Sequence, residues 1–227
     1  MHDTTLASLQ ESSRRLVRTV DGLSDTQLAA PSLLPDWTRA HVVAHLALNA
    51  EALDAVVRGL LADEPVPMYP STEARDQDIA DLAGERSSVL RERLLGGVAE
   101  LGDALAALPE DLRDAVVERT PGSDRTFLAG EVAVMRLREV EIHHADLDAG
   151  YGRADWAPEF AGLLVEQLAG RARATLEETG SDRTWPGPAG APTVRGTLPD
   201  LGWWLSGRGT GEGLTARDGD LPAVAAW

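Results

Sequence analysis

Imidazoles and carboxylates that fall on the apolar face of a helix need a partner, and two segments of this chain place them there. Residues 127–149 read as a helix. Advancing about 100° per residue gathers Leu128, Val132, Met135, Val140, Ile142 and Leu147 into one arc. Glu139 and His143 lie within that arc, four apart and so stacked one turn above the other. Glu141 and His144 are expected on or beyond its polar margins. A second helical run, ending near Leu61, has its arc at Val42, Leu46, Leu53, Val56, Val57 and Leu60. His45 sits at the edge of this arc, Asn49 lies inside it where it can orient a neighbour, and His41 lies farther out. Two His and one Glu projected into a bundle core make a three-donor site that suits Zn²⁺ and leaves a fourth position for water or substrate. The plainer alternative is that Glu139 and His143 bond each other or an Arg.

What the chain lacks narrows the chemistry. All 21 basic residues are Arg, so a Schiff-base lysine, a P-loop lysine and a Lys general base are excluded. With no Cys there is no thiolate nucleophile, disulfide or Cys-ligated metal, and any thiol must arrive on a cosubstrate. Against 37 acidic residues the formal charge is −16, which disfavours nucleic acid and anionic membranes as partners. An anionic ligand needs local Arg residues to hold it against that field. No run approaches the roughly 20 apolar residues of a membrane span, and Met1 to Ser13 is polar rather than signal-like, so the expected location is the cytoplasm.

The elements that position these residues follow from periodicity and punctuation. A first helix is expected over residues 4–21. The second follows the capping residues Asp36-Trp37-Thr38, with Trp37 as a packing staple, and a third runs over 72–107 with a break near Gly96-Gly97. With residues 127–149 these make an antiparallel bundle. Beyond Tyr151-Gly152 a helix is expected at 158–179, then short strands near 182–185, 193–197 and 213–216, with a short helix at 198–206. Arg208 stands among glycines, where a guanidinium can meet a carboxylate bidentately. The glycine-rich stretch to Gly213 follows a helix rather than opening one, so it reads as a connection and not a phosphate loop. The six Trp read as core or interface anchors.

Several blocks, in order along the chain, resemble a known family. They are Leu34-Pro35-Asp36-Trp37-Thr38-Arg39-Ala40-His41-Val42-Val43-Ala44-His45, then Pro67-Met68-Tyr69 with Glu73-Ala74-Arg75. Next come Arg138-Glu139-Val140-Glu141-Ile142-His143 with Asp146-Leu147, and finally Gly207-Arg208-Gly209. Together they are similar to the mycothiol-dependent maleylpyruvate isomerases. The Trp-Thr-Arg-x-His block is shared with the wider DinB-like four-helix metalloproteins, whereas the Pro-Met-Tyr and Glu-Ala-Arg segment is more discriminating.

The resemblance implies an α+β fold, with a DinB-like metal-binding four-helix bundle over 1–150 and a smaller C-terminal α/β domain over 151–227. It implies Zn²⁺ on His45, Glu139 and His143, mycothiol as thiol cosubstrate, and Arg208 as the catalytic arginine. His144 has no assigned role. The implied reaction converts maleylpyruvate to fumarylpyruvate by reversible addition of a metal-activated thiolate to the cis double bond, with Arg208 or the metal stabilising the enolate. Arg75 and Arg39 are further candidates for holding the dianionic substrate. Two other readings use the same ligands: a zinc-dependent mycothiol S-transferase acting on other electrophiles, and a non-catalytic metal-binding bundle.

Overall fold

The computed structural model describes residues 2–217 and 220–225, and the chain forms two compact units, Met1–Gly150 and Tyr151–Trp227. The first unit contains the helices α1 (His2–Gly22), α2 (Asp25–Leu28), α3 (Arg39–Leu61), α4 (Thr72–Ala83), α5 (Ser87–Ala107) and α6 (Val132–Asp146). Before α6 comes a hairpin of β1 (Val116–Glu118) and β2 (Thr126–Leu128). Helix α3 is the centre of the bundle: Val42, Val43, Leu46, Ala47, Ala50, Leu53 and Val57 are all fully buried. Each buried Leu or Val contributes about 1.5–3 kcal/mol relative to exposure. Among the described helices α3 is the one long and apolar enough to cross a membrane, and most of that stretch is buried inside the protein.

Its start is fixed by a capping box. The Thr38 hydroxyl accepts from the His41 N–H, while His41 Nδ1 faces the Thr38 N–H at 3.3 Å. His41 is thereby committed to the helix end. The same end is tied to the end of α6, because the Arg39 guanidinium donates to the Leu147 and Asp148 carbonyls and the Leu33 N–H donates to that of Asp146. These bonds satisfy orphan carbonyls at the α6 C-terminus and fix the crossing of α3 and α6. Arg39 is thus a helix clamp rather than a substrate arginine.

The second unit has α7 (Pro158–Leu168), β3 (Thr175–Glu178), β4 (Thr184–Trp185), β5 (Thr193–Gly196), α8 (Leu198–Leu205) and β6 (Thr215–Ala216). The strand order is β4-β3-β5-β6, with β3 and β5 parallel and the outer pairs antiparallel. Trp156, Trp185, Trp203 and Trp204 are buried in this unit, with Trp156 edge-on to Phe160; Trp227 lies outside the described residues.

Three sequence expectations are corrected. The 72–107 run breaks at 84–86, where α4 stops at Gly84, and α5 continues unbroken through Gly96 and Gly97. Residues 126–128 pair with β1 instead of opening α6, so Leu128 leaves the helical arc. The helix after Pro158 ends at Leu168, and Thr175–Glu178 is a strand because it gains a ladder with β5.

Gly97 is where α5 meets α3: a Cβ there would lie 3.1 Å from the Ala50 Cβ, whereas one on Gly96 would meet nothing within 4 Å. Gly97→Leu should therefore lower unfolding free energy by about 1–3 kcal/mol. Gly96→Ala should raise it by about 0.5–1 kcal/mol. Urea denaturation of the two variants checks this, and equal effects would contradict the packing described.

Candidate metal centre

The α3–α6 crossing brings His45, Glu139 and His143 together, with one donor atom from each lying within 4.8 Å of the others. His45 Nε2 is 2.9 Å from Glu139 Oε2, His143 Nε2 is 3.3 Å from the same oxygen, and the two rings meet edge-on at 4.7 Å. A tetrahedral ion with bonds of about 2.0–2.1 Å spaces its donors about 3.3 Å apart, a separation that the two distances from Glu139 Oε2 to the imidazole nitrogens approach. Two imidazoles and one carboxylate are also a donor set that first-row divalent ions accept.

The surroundings hold the three side chains in place. His143 Nδ1 lies 2.9 Å from Asp146 Oδ2, off the line of a well-formed hydrogen bond, and the Asp146 side chain is fully buried. A carboxylate behind a histidine fixes the ring and keeps the other nitrogen pointed at the site. The His143-x-x-Asp146 spacing, one helical turn, is the signal of this support in the sequence. Just before α3 the Trp37 ring lies 5.7 Å from His45 and stacks on His41. Arg75 Nη2 is 3.3 Å from His45 Nδ1, which assigns the neutral tautomer with its proton on Nε2, donated to Glu139.

Burial is the largest influence on all three groups, but it does not win everywhere. It pushes His45 down to about 4, against the Glu139 hydrogen bond. Burial would likewise lower His143, yet the contacts to Asp146 and Glu139 raise it above 6.5. Glu139 is held well below the usual carboxylate range, because hydrogen bonds from His143 and His45 outweigh its desolvation.

Beneath this cluster, Asn49 accepts a 2.7 Å bond from Arg136 and faces the Tyr69 hydroxyl at 3.5 Å. Tyr69 in turn has the guanidiniums of Arg75 and Arg119 at 5.8 and 5.5 Å from its ring centre. The hairpin positions this segment, since the Met68 and Tyr69 N–H groups donate to the Glu118 and Arg119 carbonyls.

Glu141 and His144 are not at polar margins: both are buried. Helix α6 is covered on a second side by α1, where Glu141 bonds Ser12 and Arg15, and His144 Nε2 lies 2.8 Å from Thr19 Oγ1. A single apolar arc could not show this, because polar partners on α1 meet them. In the second unit, Arg208 follows α8 and its Nη1 donates to the Ser206 carbonyl at 2.7 Å. The glycine loop there closes on itself: the Thr210 N–H donates to Glu212, and a Cβ on Gly209 (φ 66°) would collide with that carboxylate.

Fold and cluster define a helical bundle with a candidate metal centre between two of its helices. The chain belongs to the mycothiol maleylpyruvate isomerase family, whose N-terminal domain model matches residues 9–148. It superposes on the crystal structure of the mycothiol-dependent maleylpyruvate isomerase with TM-score 0.89 at 28% identity, covering 100% of this chain and 97% of that one. A histidine-to-alanine variant of that isomerase gives the same values. YfiT from Bacillus subtilis, described as a probable metal-dependent hydrolase with an unusual four-helix bundle topology, shares the fold at TM-score 0.55 and 19% identity, covering 65% of this chain and 83% of its own. No curated protein sequence matches the chain.

A metal ion on the cluster must displace a proton from His143 Nε2, whereas His45 is already neutral above about 4. Zinc affinity should therefore fall about tenfold per pH unit below the raised His143 value. Between about pH 5 and 6.5 one proton should be released per ion. Calorimetric titration in buffers of different ionisation enthalpy measures the number; a release of two protons would contradict the assignment.

Proposed function

We propose that this chain catalyses the mycothiol-dependent cis–trans isomerisation of maleylpyruvate to fumarylpyruvate, in the cytoplasm. The observation that carries the reading is the convergence of His45, Glu139 and His143 from two helices, in a chain of this family. Zinc is the proposed ion, with those three residues as its ligands. When bound, the metal supplies a Lewis acid that keeps a thiol ionised at neutral pH, and mycothiol supplies the thiol that a chain without Cys lacks.

The chain's own residues prepare and polarise the site. Glu139 stays ionised, His45 stays neutral, and Asp146 holds the His143 ring so that Nε2 faces the other two donors. Were His45 to hold the metal through Nε2, its proton would sit on Nδ1, and Arg75 Nη2, now 3.3 Å from that nitrogen, would become available to a carboxylate. That matters because the substrate is a dianion and the chain carries −16, so only nearby guanidiniums can hold it. Arg208, on a short glycine-flanked loop, is proposed to stabilise the charge that develops on the conjugated carbonyl oxygen. Residues 1–150 would then act as the metal-binding domain and residues 151–227 as the domain that supplies this arginine.

Maleylpyruvate turnover followed by ultraviolet absorbance tests the reading. Zinc-loaded protein should isomerise the substrate with catalytic mycothiol, leave the mycothiol unconsumed, and lose activity without the thiol or after chelation. Arg208→Ala should keep its metal while turnover falls by about 10²–10³. Stoichiometric loss of mycothiol would point to an S-transferase, and loss of zinc from Arg208→Ala would remove the proposed role of that residue.

A further inference from the structure

The hairpin that positions the 67–69 segment carries an arginine with no carboxylate beside it. Strand residues alternate between faces, and in β1 Val117 is buried while Val116 and Glu118 are exposed. Arg119, two residues after Val117, therefore leaves the hairpin on the inward face, and its guanidinium carbon stands 5.5 Å from the centre of the Tyr69 ring. Arg119 is half-buried, and its side chain makes no ion pair or hydrogen bond among the described residues. Glu118 does not neutralise it, because that carboxylate leaves from the other face, where it accepts from the Gly122 N–H.

The opposite strand adds a like charge. The Arg119 N–H donates to the Arg125 carbonyl, one rung beyond the Glu118–Thr126 pair, so Arg125 stands across from Arg119 on the same face. Two guanidiniums opposite each other repel, and a half-buried cation without an anion loses solvation. The Tyr69 ring offsets part of this, since a cation over an aromatic face gains about 0.5–2 kcal/mol. Arg75 stands 5.8 Å from the centre of the same ring, with its Nη2 beside His45. Buried Tyr69 thus joins a guanidinium next to the metal cluster to a second one that has no anion.

We propose that Arg119 is a specificity-determining residue for the isomerisation: it holds the substrate carboxylate remote from the metal, and so selects dicarboxylates over monocarboxylates. The inference rests on the isomerase reading. Maleylpyruvate has a carboxylate at each end, one next to the double bond that the thiolate attacks and one on the 2-oxo acid. The reacting end belongs at the metal cluster, near Arg75, so the 2-oxo acid end needs a second cation farther along. A planar guanidinium meets a carboxylate with two parallel N–H donors. Arg119 has its donors uncommitted, in a chain whose total charge of −16 makes each local cation count. The bound anion in turn screens the repulsion between Arg119 and Arg125.

Zinc-loaded full-length protein is assayed for maleylpyruvate turnover and, by calorimetry, for binding of adipate and hexanoate, unreactive acids of equal length with two carboxylates and one. Arg119→Gln should keep its zinc, with KM raised about 10–100-fold and kcat little changed. It should weaken adipate by the same factor and leave the weaker binding of hexanoate as it is. Arg119→Lys restores the charge without the fork and should recover part of the loss. Should Arg119→Gln fail to fold, Arg119→Lys still reads the contrast, with adipate weakened and hexanoate unchanged. Arg125→Gln removes a like charge from the exposed strand and should change KM by less than about fivefold. The proposal is overturned if adipate and hexanoate bind the parent equally, if KM and the preference for adipate survive in Arg119→Gln, or if Arg125→Gln matches its loss. A parent that binds adipate through Arg119 but does not turn over maleylpyruvate overturns the isomerase reading and keeps the dicarboxylate subsite.

Discussion

A carboxylate pressed between two imidazoles from different helices governs this structure. Glu139 is partly buried, and the hydrogen bonds from His45 and His143 at its Oε2 outweigh the desolvation and hold it ionised. Those contacts exist only while α3 and α6 cross where they do, which is why so much of the surrounding sequence serves that crossing. Thr38 and His41 start α3 at a fixed residue, and Arg39 reaches over to the carbonyls that end α6. Asp146, at the last turn of α6, both supports His143 and receives the Leu33 N–H on its carbonyl. Loss of one of these would let the donors drift apart, and a spacing set to within a few tenths of an ångström is what binding an ion requires.

The absence of lysine gives the guanidinium a wide range of duties in a strongly acidic chain. Arg39 and Arg91 satisfy orphan carbonyls at helix ends, the latter at Val20 and Leu23 after α1. Arg93 pairs with Glu51 across α3 and α5. Arg75 and Arg119 lie against Tyr69 close to the metal cluster, where local positive charge is needed by any anionic substrate. A planar fork that stays charged when partly buried suits each of these tasks better than an ammonium would.

The helices and the meeting of His45 with Glu139 and His143 are legible in the sequence, because both rest on a 3.6-residue period that the bundle preserves. What fails does so for identifiable reasons. The Gly96-Gly97 pair looks like a breaker, but Gly97 is a contact surface for Ala47 and Ala50. Residues 126–128 carry an apolar texture that suits helix or strand, and only pairing with 116–118 decides between them. Thr175–Glu178 similarly becomes a strand through its partner β5, 18 residues on. Glu141 and His144 are assigned to the surface by a one-sided arc, although α1 brings Ser12, Arg15 and Thr19 to meet them. In each case the missing information is long-range: a partner that local spacing does not contain.

Cobalt(II) substitution measures the central claim most directly, because its visible spectrum reports the number and type of ligands around the ion. The account predicts one Co²⁺ per chain with intense visible bands typical of four-coordination, abolished in His143→Ala. Addition of mycothiol should bring up a sulfur-to-cobalt charge-transfer band in the near ultraviolet. Weak, six-coordinate-like bands that survive in His143→Ala, or a spectrum unmoved by the thiol, would contradict a thiol-accepting metal centre on His45, Glu139 and His143.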